Sequence, residues 1–378
     1  MSTTVLAVGA WLKNVACLVL QGHAHWSPVH GDLSDPAACD ALERSVQALA
    51  RQAAEAGAPV QAIAHDLHPD FFSTQLAIAT AAALGVPAIG VQHHHAHLAA
   101  VMAEHGLEGP VVGLALDGVG LGVDGTPWGG ELLWLDGARW ARLGHLQPLA
   151  LPGGDRAARE PWRMAASALH ALGRADEIVP RFAPVVGEAV AAGMRQMLDK
   201  NLNCPLTSSA GRWFDAAAGA LGLCHHQRDE AQAAIALEQA AARALAAQPD
   251  LPPLAGAVVA DGVVDLRPVL ARLFDAPDAD TAAAGFHLAL ADVLAAALTA
   301  AARERDIHTA ALGGGCFFNR ILRKRTVQRL RAAGLQVFQT GDHGCGDAGL
   351  AIGQAWVAAQ QLQTPRPESP VEESLPCA

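Results

Sequence analysis

Residues 92–97, with the sequence QHHHAH, carry four histidines directly after the short apolar run 87–91. If these residues begin a helix, His93 and His97 lie four positions apart and project from one face. Two imidazoles on one helix face are a common start of a transition-metal site. A histidine-rich turn on a surface helix needs no metal, so this pattern alone leaves both interpretations open.

Two aspartates near predicted element ends add carboxylates to this pattern. Asp117 follows the apolar run 111–116 and opens a predicted loop, DGVG at 117–120, and Asp347 stands immediately before the last predicted helix. Carboxylates at the C-terminal ends of strands point into the cleft in which α/β proteins bind ligands. Together with the two histidines they would hold one divalent ion, although each aspartate alone is more typical of a turn or a helix cap.

Glycine-rich segments accompany these acidic residues. The triplet 313–315 lies between a predicted buried strand and a predicted helix, where free backbone N–H groups favour an anion such as phosphate. Gly118 and Gly120 follow Asp117 and allow a ligand to approach the backbone closely. Residues 129–130 are interpreted as a turn before a strand. No segment matches a Walker loop or a GxGxxG fingerprint, so the glycines are supporting signals only.

The order of the predicted elements places these residues in an α/β fold. Three short strands followed by alternating helices and strands occur in residues 1–110, and the order repeats in 111–361 around a helical insertion at about 150–250. Pro36 opens the first predicted helix, and Gly85 and Gly106 close the next two. This pattern predicts two RNase H-like lobes around a central cleft, the actin/Hsp70-like (ASKHA) fold. A single doubly wound sheet is the alternative. Residues 362–378, rich in Pro and Glu, are predicted to be a disordered tail.

Composition restricts the class of protein. The formal net charge of −11 over 378 residues opposes general nucleic-acid binding, and the basic run 320–331 is interpreted as a solvated helix face. The seven cysteines include no CxxC pair, so we expect neither a structural zinc site nor a disulfide framework, but a cytoplasmic protein. No unbroken apolar run has membrane-spanning length, and residues 1–9 do not resemble a secretory signal.

Nine segments, in order from about residue 5 to residue 361, resemble the HypF carbamoyltransferases. They are LKN (12–14), HGDL (30–33), DLHPDF (66–71), QHHHAH (92–97), REPWRMA (159–165), TSSAGRWFDA (207–216), QAAIALE (232–238), GGGCFFNR (313–320) and GDAGLAIGQA (346–355). QHHHAH and REPWRMA are the most specific within the wider group that includes TsaD-type tRNA-modifying transferases. The family's YEGQAA reads DEAQAA at 229–234 here. Full-length HypF proteins carry further domains ahead of this region, so we expect an excised domain or a short form.

The resemblance implies site residues from both lobes. The implied ligands of a single divalent metal (iron, zinc or manganese) are His93, His97, Asp117 and Asp347. The implied nucleotide-binding residues are Asp117, Gly118, Gly120, Asp215, Gly314 and Asn319. Lys13 is the expected contact for the phosphate or carbamoyl group. His94 or His95 is the expected base that deprotonates an incoming thiol. Arg159 and Arg163 are either contacts for the carbamoyl donor or parts of structural salt bridges.

The resemblance also implies a reaction. The chain would transfer the carbamoyl group of carbamoyl-adenylate, made from carbamoyl phosphate and ATP, to the C-terminal cysteine of HypE, on the way to the cyanide ligand of [NiFe]-hydrogenase. No cysteine of this chain need be catalytic, and Cys316 and Cys345 are interpreted as buried bystanders. Two alternatives remain: a TsaD-like transferase acting on tRNA or on a small molecule, and a non-catalytic nucleotide- or metal-binding partner. The acidic net charge opposes tRNA.

Overall fold

A computed structural model describes residues 3–341 and 344–363 of the chain. In this part of the chain, fourteen strands and thirteen α-helices alternate, with 3₁₀ turns at Ala175–Glu177, Gly315–Phe318 and Asp347–Gly349. The strands are β1 (Val5–Ala7), β2 (Cys17–Leu20), β3 (His23–Trp26), β4 (Ala62–Asp66), β5 (Ala88–Val91), β6 (Val111–Leu121), β7 (Pro127–Asp136), β8 (Arg139–Leu146), β9 (Leu149–Ala150), β10 (Leu206–Thr207), β11 (Val258–Ala260), β12 (Val263–Asp265), β13 (Thr309–Gly313) and β14 (Gln336–Gln339). The helices are α1 (Pro36–Glu55), α2 (Phe72–Leu84), α3 (His93–His105), α4 (Asp155–Arg159), α5 (Pro161–Ala171), α6 (Ile178–Val186), α7 (Glu188–Asp199), α8 (Ala210–Ala220), α9 (Gln232–Ala247), α10 (Arg267–Phe274), α11 (Ala279–Glu304), α12 (Arg320–Ala332) and α13 (Leu350–Gln363).

The two large sheets have the same strand order. The first sheet is ordered β3-β2-β1-β4-β5, and the core of the second is ordered β8-β7-β6-β13-β14. In both, the first three strands in sequence are antiparallel and the last two run parallel to the first. This duplication confirms the predicted actin/Hsp70-like fold of two RNase H-like lobes, and the alternative of one doubly wound sheet is wrong.

Local sequence signals explain several element ends. The side chain of Asp35 accepts a hydrogen bond from the amide of Ala37 and caps α1, with Pro36 as its first residue. Helices α2 and α3 end at Gly85 and Gly106, which both adopt the left-handed conformation that glycine tolerates best. These boundaries were predicted because they depend on residues that are close in sequence.

Two helices cross between the lobes. Helix α3 follows β5 of the first sheet but packs against β6 and β13 of the second, whereas α13 follows the second sheet and packs against β1, β2 and β4 of the first. The two helices pack on each other at Gly353, where a β-carbon would overlap the carbonyl oxygen of Ala96. The side-chain amide of Gln354 bonds the backbone N–H and C=O of Gly9, which ties α13 to the end of β1. The proposed division at residue 110 stays a prediction.

The helical insertion and the C-terminus differ from the prediction in detail. The hairpin of β11 and β12 was not predicted; it extends the second sheet beside β8. Helix α11 has the length and composition of a membrane span, yet 78% of its most apolar window is buried, as in a core helix. Helix α13 ends at Gln363, two residues inside the predicted tail, and the rest of that tail lies outside the described residues.

Candidate metal and nucleotide site

Four side chains predicted from the sequence meet between the two lobes. His93 and His97 project from the first turns of α3, Asp117 from β6, and Asp347 from the 3₁₀ turn before α13. One ligand atom from each residue lies within 4.8 Å of the others. The His93 Nε2 atom is 3.3 Å from Asp117 Oδ2 and 3.6 Å from Asp347 Oδ1, and the corresponding His97 distances are 3.6 and 3.5 Å. We call these four residues the histidine–aspartate cluster.

The cluster fits a divalent transition metal. Both histidines direct Nε2 towards both carboxylates, and His97 Nε2 is buried without a well-aligned hydrogen-bond partner. A buried polar atom without a partner is costly unless a ligand satisfies it. Two imidazoles and two carboxylates suit iron, zinc and manganese alike, so the identity of the metal stays open.

Mutual interactions set the charges of the cluster. Burial alone would lower the pKa of His93, but the charge of Asp66 and the contacts with both cluster aspartates hold that pKa well above 6.5. His97 likewise has a raised pKa, since its contacts with Asp117 and Asp347 outweigh burial. Burial would raise the pKa of each aspartate, yet the two histidines hold both values below the usual range. Without metal, the two histidines and the two aspartates therefore stabilise each other's charged forms.

Asp117 lies within a strand, so the predicted loop at 117–120 is wrong. Strand β6 continues to Leu121, with an irregular register between Leu116 and Gly120 that turns Asp117 towards the cluster. The amide of Gly315 donates a 2.9 Å hydrogen bond to Asp117 Oδ1, which leaves Oδ2 facing the histidines. Ser209 Oγ donates to the carbonyl oxygens of residues 117 and 118, which anchors the irregular segment from α8.

The glycines near the cluster have different roles. A β-carbon on Gly120 would lie 2.7 Å from the His93 ring, so this glycine makes room for a histidine and not for a ligand. A β-carbon on Gly118 would meet nothing within 4 Å, which leaves space for a bound molecule. Gly314 has a φ of +97°, and its β-carbon would lie 2.3 Å from the carbonyl oxygen of Leu116. The predicted turn at 129–130 is wrong, because both glycines lie inside β7.

The expected free amides of the glycine triplet are already in use. The amide of Gly314 donates to the carbonyl oxygen of Cys345 at 2.8 Å, and that of Gly315 donates to Asp117. The first bond joins the triplet to the segment that carries Asp347, and the second joins it to β6. The prediction that these N–H groups are available to an anion is therefore wrong for this conformation. Gly314 allows the backbone to pack closely against Leu116 but offers no free N–H donor.

His94 and His95 lie outside the histidine–aspartate cluster. The side-chain amide of Gln92 donates to His94 Nδ1 at 3.0 Å, and burial keeps the His94 pKa well below 6.5. His95 is about 200° around the helix from His93. It packs beside Trp140, and burial lowers its pKa to about 4. Both rings are poor proton acceptors at neutral pH, so the structure gives no support to their predicted role as a base.

The remaining predicted nucleotide contacts are engaged by the protein itself. Asp215 is 2% exposed and lies beside Arg212, and burial raises its pKa to about 6. Asn319 caps α12 through Oδ1, while its Nδ2 donates to the buried ring of His287 at 2.8 Å. Contacts of Asp215 and Asn319 with a nucleotide remain predictions.

Lys13 stands at the edge of the cleft. Its Nζ atom pairs with Glu230 of the other lobe at 2.9 Å, and both side chains are more than half exposed. Arg163 is buried and pairs with Glu160 of its own segment, which favours the structural alternative for this residue. Burial raises the pKa of the Cys316 thiol well above its usual value and that of Cys345 to about 11, as expected of bystander cysteines.

One residue that contacts the cluster was not predicted from the sequence. Asp66 is fully buried at the end of β4, and its Oδ2 atom lies 2.7 Å from His93 Nδ1. It belongs to the segment DLHPDF, which had no assigned role. Asp66 follows a buried apolar run in the sequence just as Asp117 does, so a signal for its position at a strand end was present.

Comparisons with known proteins agree over the whole described fold. Residues 1–104 match the family model of the HypF Kae1-like domain, and residues 113–354 match that of the second subdomain of the carbamoyltransferase Kae1-like domain. A carbamoyltransferase HypF homolog of Cupriavidus necator is 57% identical over 99% of this chain and 96% of its own length. The carbamoyltransferase HypF of Rhizobium leguminosarum bv. viciae is 39% identical over 99% of this chain but 47% of its own length.

Two solved structures share the fold. Full-length HypF in the phosphate- and nucleotide-bound form superposes with a TM-score of 0.85 at 30% identity, and HypF of T. kodakarensis superposes with the same score at 31%. Each comparison covers 96% of this chain and about half of the solved one. This chain therefore spans nearly all of one relative and about half of the others. It belongs to the HypF carbamoyltransferase family of transferase enzymes.

Proposed function

We propose that this chain transfers the carbamoyl group of carbamoyl-adenylate to the C-terminal cysteine thiol of HypE in the cytoplasm, on the way to the cyanide ligand of [NiFe]-hydrogenase. The observation that carries the proposal is the histidine–aspartate cluster, which brings together three buried ligands and the partly buried Asp347 from both lobes. Family membership supports the carbamoyl group as the one transferred. The acidic net charge supports a protein acceptor over tRNA.

The proposed reaction is an acyl transfer from a phosphate oxygen to a sulfur atom. The thiolate sulfur forms a bond to the carbamoyl carbon, the bond from that carbon to the phosphate oxygen breaks, and AMP leaves while the thiol proton passes to solvent. A divalent ion held by His93, His97, Asp117 and Asp347 would supply Lewis-acid stabilisation of the phosphate charge. The open space at Gly118 lets a nucleotide approach the backbone beside this charge.

A transfer assay with supplied substrates tests the proposal. Wild-type protein, a divalent metal, synthetic carbamoyl-adenylate and HypE are mixed, and the intact mass of HypE reports one added carbamoyl group. The double variant His93→Ala/His97→Ala should lose bound metal and transfer together. His308→Ala, which changes a histidine that is 79% exposed, is the matched control and should behave as wild type. Full transfer by the metal-free double variant would refute the proposal.

The acceptor is tested in the same experiment. Replacing the C-terminal cysteine of HypE by serine should abolish the mass shift, because the nucleophile is then absent. A tRNA acceptor would instead show binding that weakens steeply between two salt concentrations. Carbamoylation of tRNA without carbamoylation of HypE would refute the proposed acceptor and support the TsaD-like alternative.

A further inference from the structure

Asp66 of the segment DLHPDF contacts the histidine–aspartate cluster from outside. Strand β4 ends at this residue, and its side chain is completely buried. Asp66 Oδ2 lies 2.7 Å from His93 Nδ1, on the side of the ring opposite to the one that faces Asp117. The carboxylate therefore contacts the ring nitrogen that the cluster does not use.

The backbone and neighbouring side chains hold Asp66 in one orientation. The amide of His68 donates to its Oδ1 atom at 2.9 Å. The carbonyl oxygen of Asp66 accepts from Thr74 Oγ1 at 3.2 Å and from His65 Nδ1 at 2.7 Å. With one carboxylate oxygen committed to His68, the other is directed at His93.

We propose that Asp66 is a positioning residue that keeps a proton on His93 Nδ1 and thereby presents the Nε2 lone pair to a metal ion. The inference rests on the metal assignment made under the proposed function. A ring that binds metal through one nitrogen is commonly fixed by a hydrogen bond from the other nitrogen to a carboxylate. Loss of such a partner typically weakens metal binding by about 10- to 100-fold.

The substitution Asp66→Asn separates this role from simple packing. Asn has the shape of Asp, and the His68 amide requires an acceptor, so the amide oxygen takes the place of Oδ1. The new NH₂ group then faces His93 Nδ1 and can only donate to it. To accept this hydrogen bond, the His93 ring must take the tautomer with an unprotonated Nδ1 and a protonated Nε2. A protonated Nε2 has no lone pair with which to bind metal.

Metal affinity of the full chain is the first measurement. Zn²⁺ is titrated into metal-free wild type, Asp66→Asn and the control Asp70→Asn, which changes an exposed carboxylate of the same segment. We expect Asp66→Asn to weaken Zn²⁺ binding by about 10- to 100-fold, with the control unchanged. Equal affinity of Asp66→Asn and wild type would overturn the inference while leaving the metal site intact. Failure of wild type to bind Zn²⁺ or another divalent metal would instead overturn the metal assignment itself.

The protonation of His93 is the second measurement and needs no variant at Asp66. In the Zn²⁺-loaded wild type, long-range ¹H–¹⁵N spectra should show His93 coordinated through Nε2 with a hydrogen-bonded proton on Nδ1. The signal is assigned by its loss in His93→Gln. Coordination through Nδ1 would contradict the inference even if Asp66→Asn failed to fold.

Discussion

Gly120 and His93 pack so closely that a β-carbon on the glycine would lie 2.7 Å from the imidazole ring. Two residues earlier in the same strand, Gly118 has open space at the equivalent position. The two glycines therefore provide a matched pair of substitutions. Gly120→Ala should displace His93 and weaken Zn²⁺ binding by at least about tenfold, as expected when a ligand is misplaced. Gly118→Ala should retain the metal affinity but weaken nucleotide binding. Calorimetric titration of both ligands checks the pair, and equal metal affinities of the two variants would contradict it.

The raised pKa values of His93 and His97 predict how metal binding depends on pH. Each ring keeps its second proton to a higher pH than a free imidazole does, and it must lose that proton before Nε2 can bind metal. Zn²⁺ affinity should therefore rise with pH, by up to about tenfold per unit for each proton released. Titrations in two buffers of different ionisation enthalpy count these protons. Binding without proton release would show that the rings are neutral beforehand.

The raised pKa values of His93 and His97 also make the stability of the metal-free protein depend on pH. A raised histidine pKa contributes stability that is complete below the unfolded value of about 6.5, and this contribution is lost as pH rises through the folded value. The free energy of unfolding should thus fall on the alkaline side without metal, and added Zn²⁺ should offset the loss.

The raised pKa of Asp215 predicts a second effect of pH on the free energy of unfolding, and its direction follows from the shift. Its pKa is raised from 3.8 to about 6, mainly by burial. The unfolded chain therefore releases the proton first, and the folded state loses stability as pH rises between these two values. Asp215→Asn removes this loss, so its stability relative to wild type should improve by on the order of 3 kcal/mol from pH 3.5 to pH 7. Denaturant unfolding at both pH values measures the difference, and the exposed Asp250→Asn should show none.

The pair Lys13–Glu230 distinguishes a substrate contact from a surface salt bridge. Both side chains are more than half exposed, so breaking the pair should cost at most about 1 kcal/mol of stability. If Lys13 binds the substrate, Lys13→Met should raise KM for carbamoyl-adenylate by about tenfold or more, the loss expected for a charged hydrogen bond. Glu230→Gln, which frees the lysine, should not. The exposed Lys200→Met is the control. Equal KM values for both lysine variants would assign Lys13 a structural role only.

The parts of the fold that depend on neighbouring residues were predicted correctly. The start of α1 at Pro36 and the end of α2 at Gly85 are local signals of this kind. Parts that depend on distant packing were not predicted. The continuation of β6 through Asp117 depends on pairing with β7 and on the hydrogen bond from Ser209, 92 positions away.

In the candidate site, too, features that depend on local spacing were predictable and features that depend on distant contacts were not. Helical spacing placed His93 and His97 on one face, and the same geometry could have shown that His95 points away. The functions of Gly120 and Gly314 were not accessible, because they are set by the His93 ring and by Leu116. A glycine pattern alone does not distinguish space left for a ligand from space left for a side chain.

The exchange of α3 and α13 between the lobes has a consequence for biosynthesis. The inner apolar face of the first sheet, with Val5 and Ala64, is covered by Leu350, Ala355 and neighbouring residues of α13. During translation this face lacks the cover that α13 provides until the chain has been synthesised through Gln363. Contacts this distant in sequence slow folding and leave apolar surface exposed to aggregation. The five strands of the first sheet can thus pair early, whereas burial of this face waits for the last described helix.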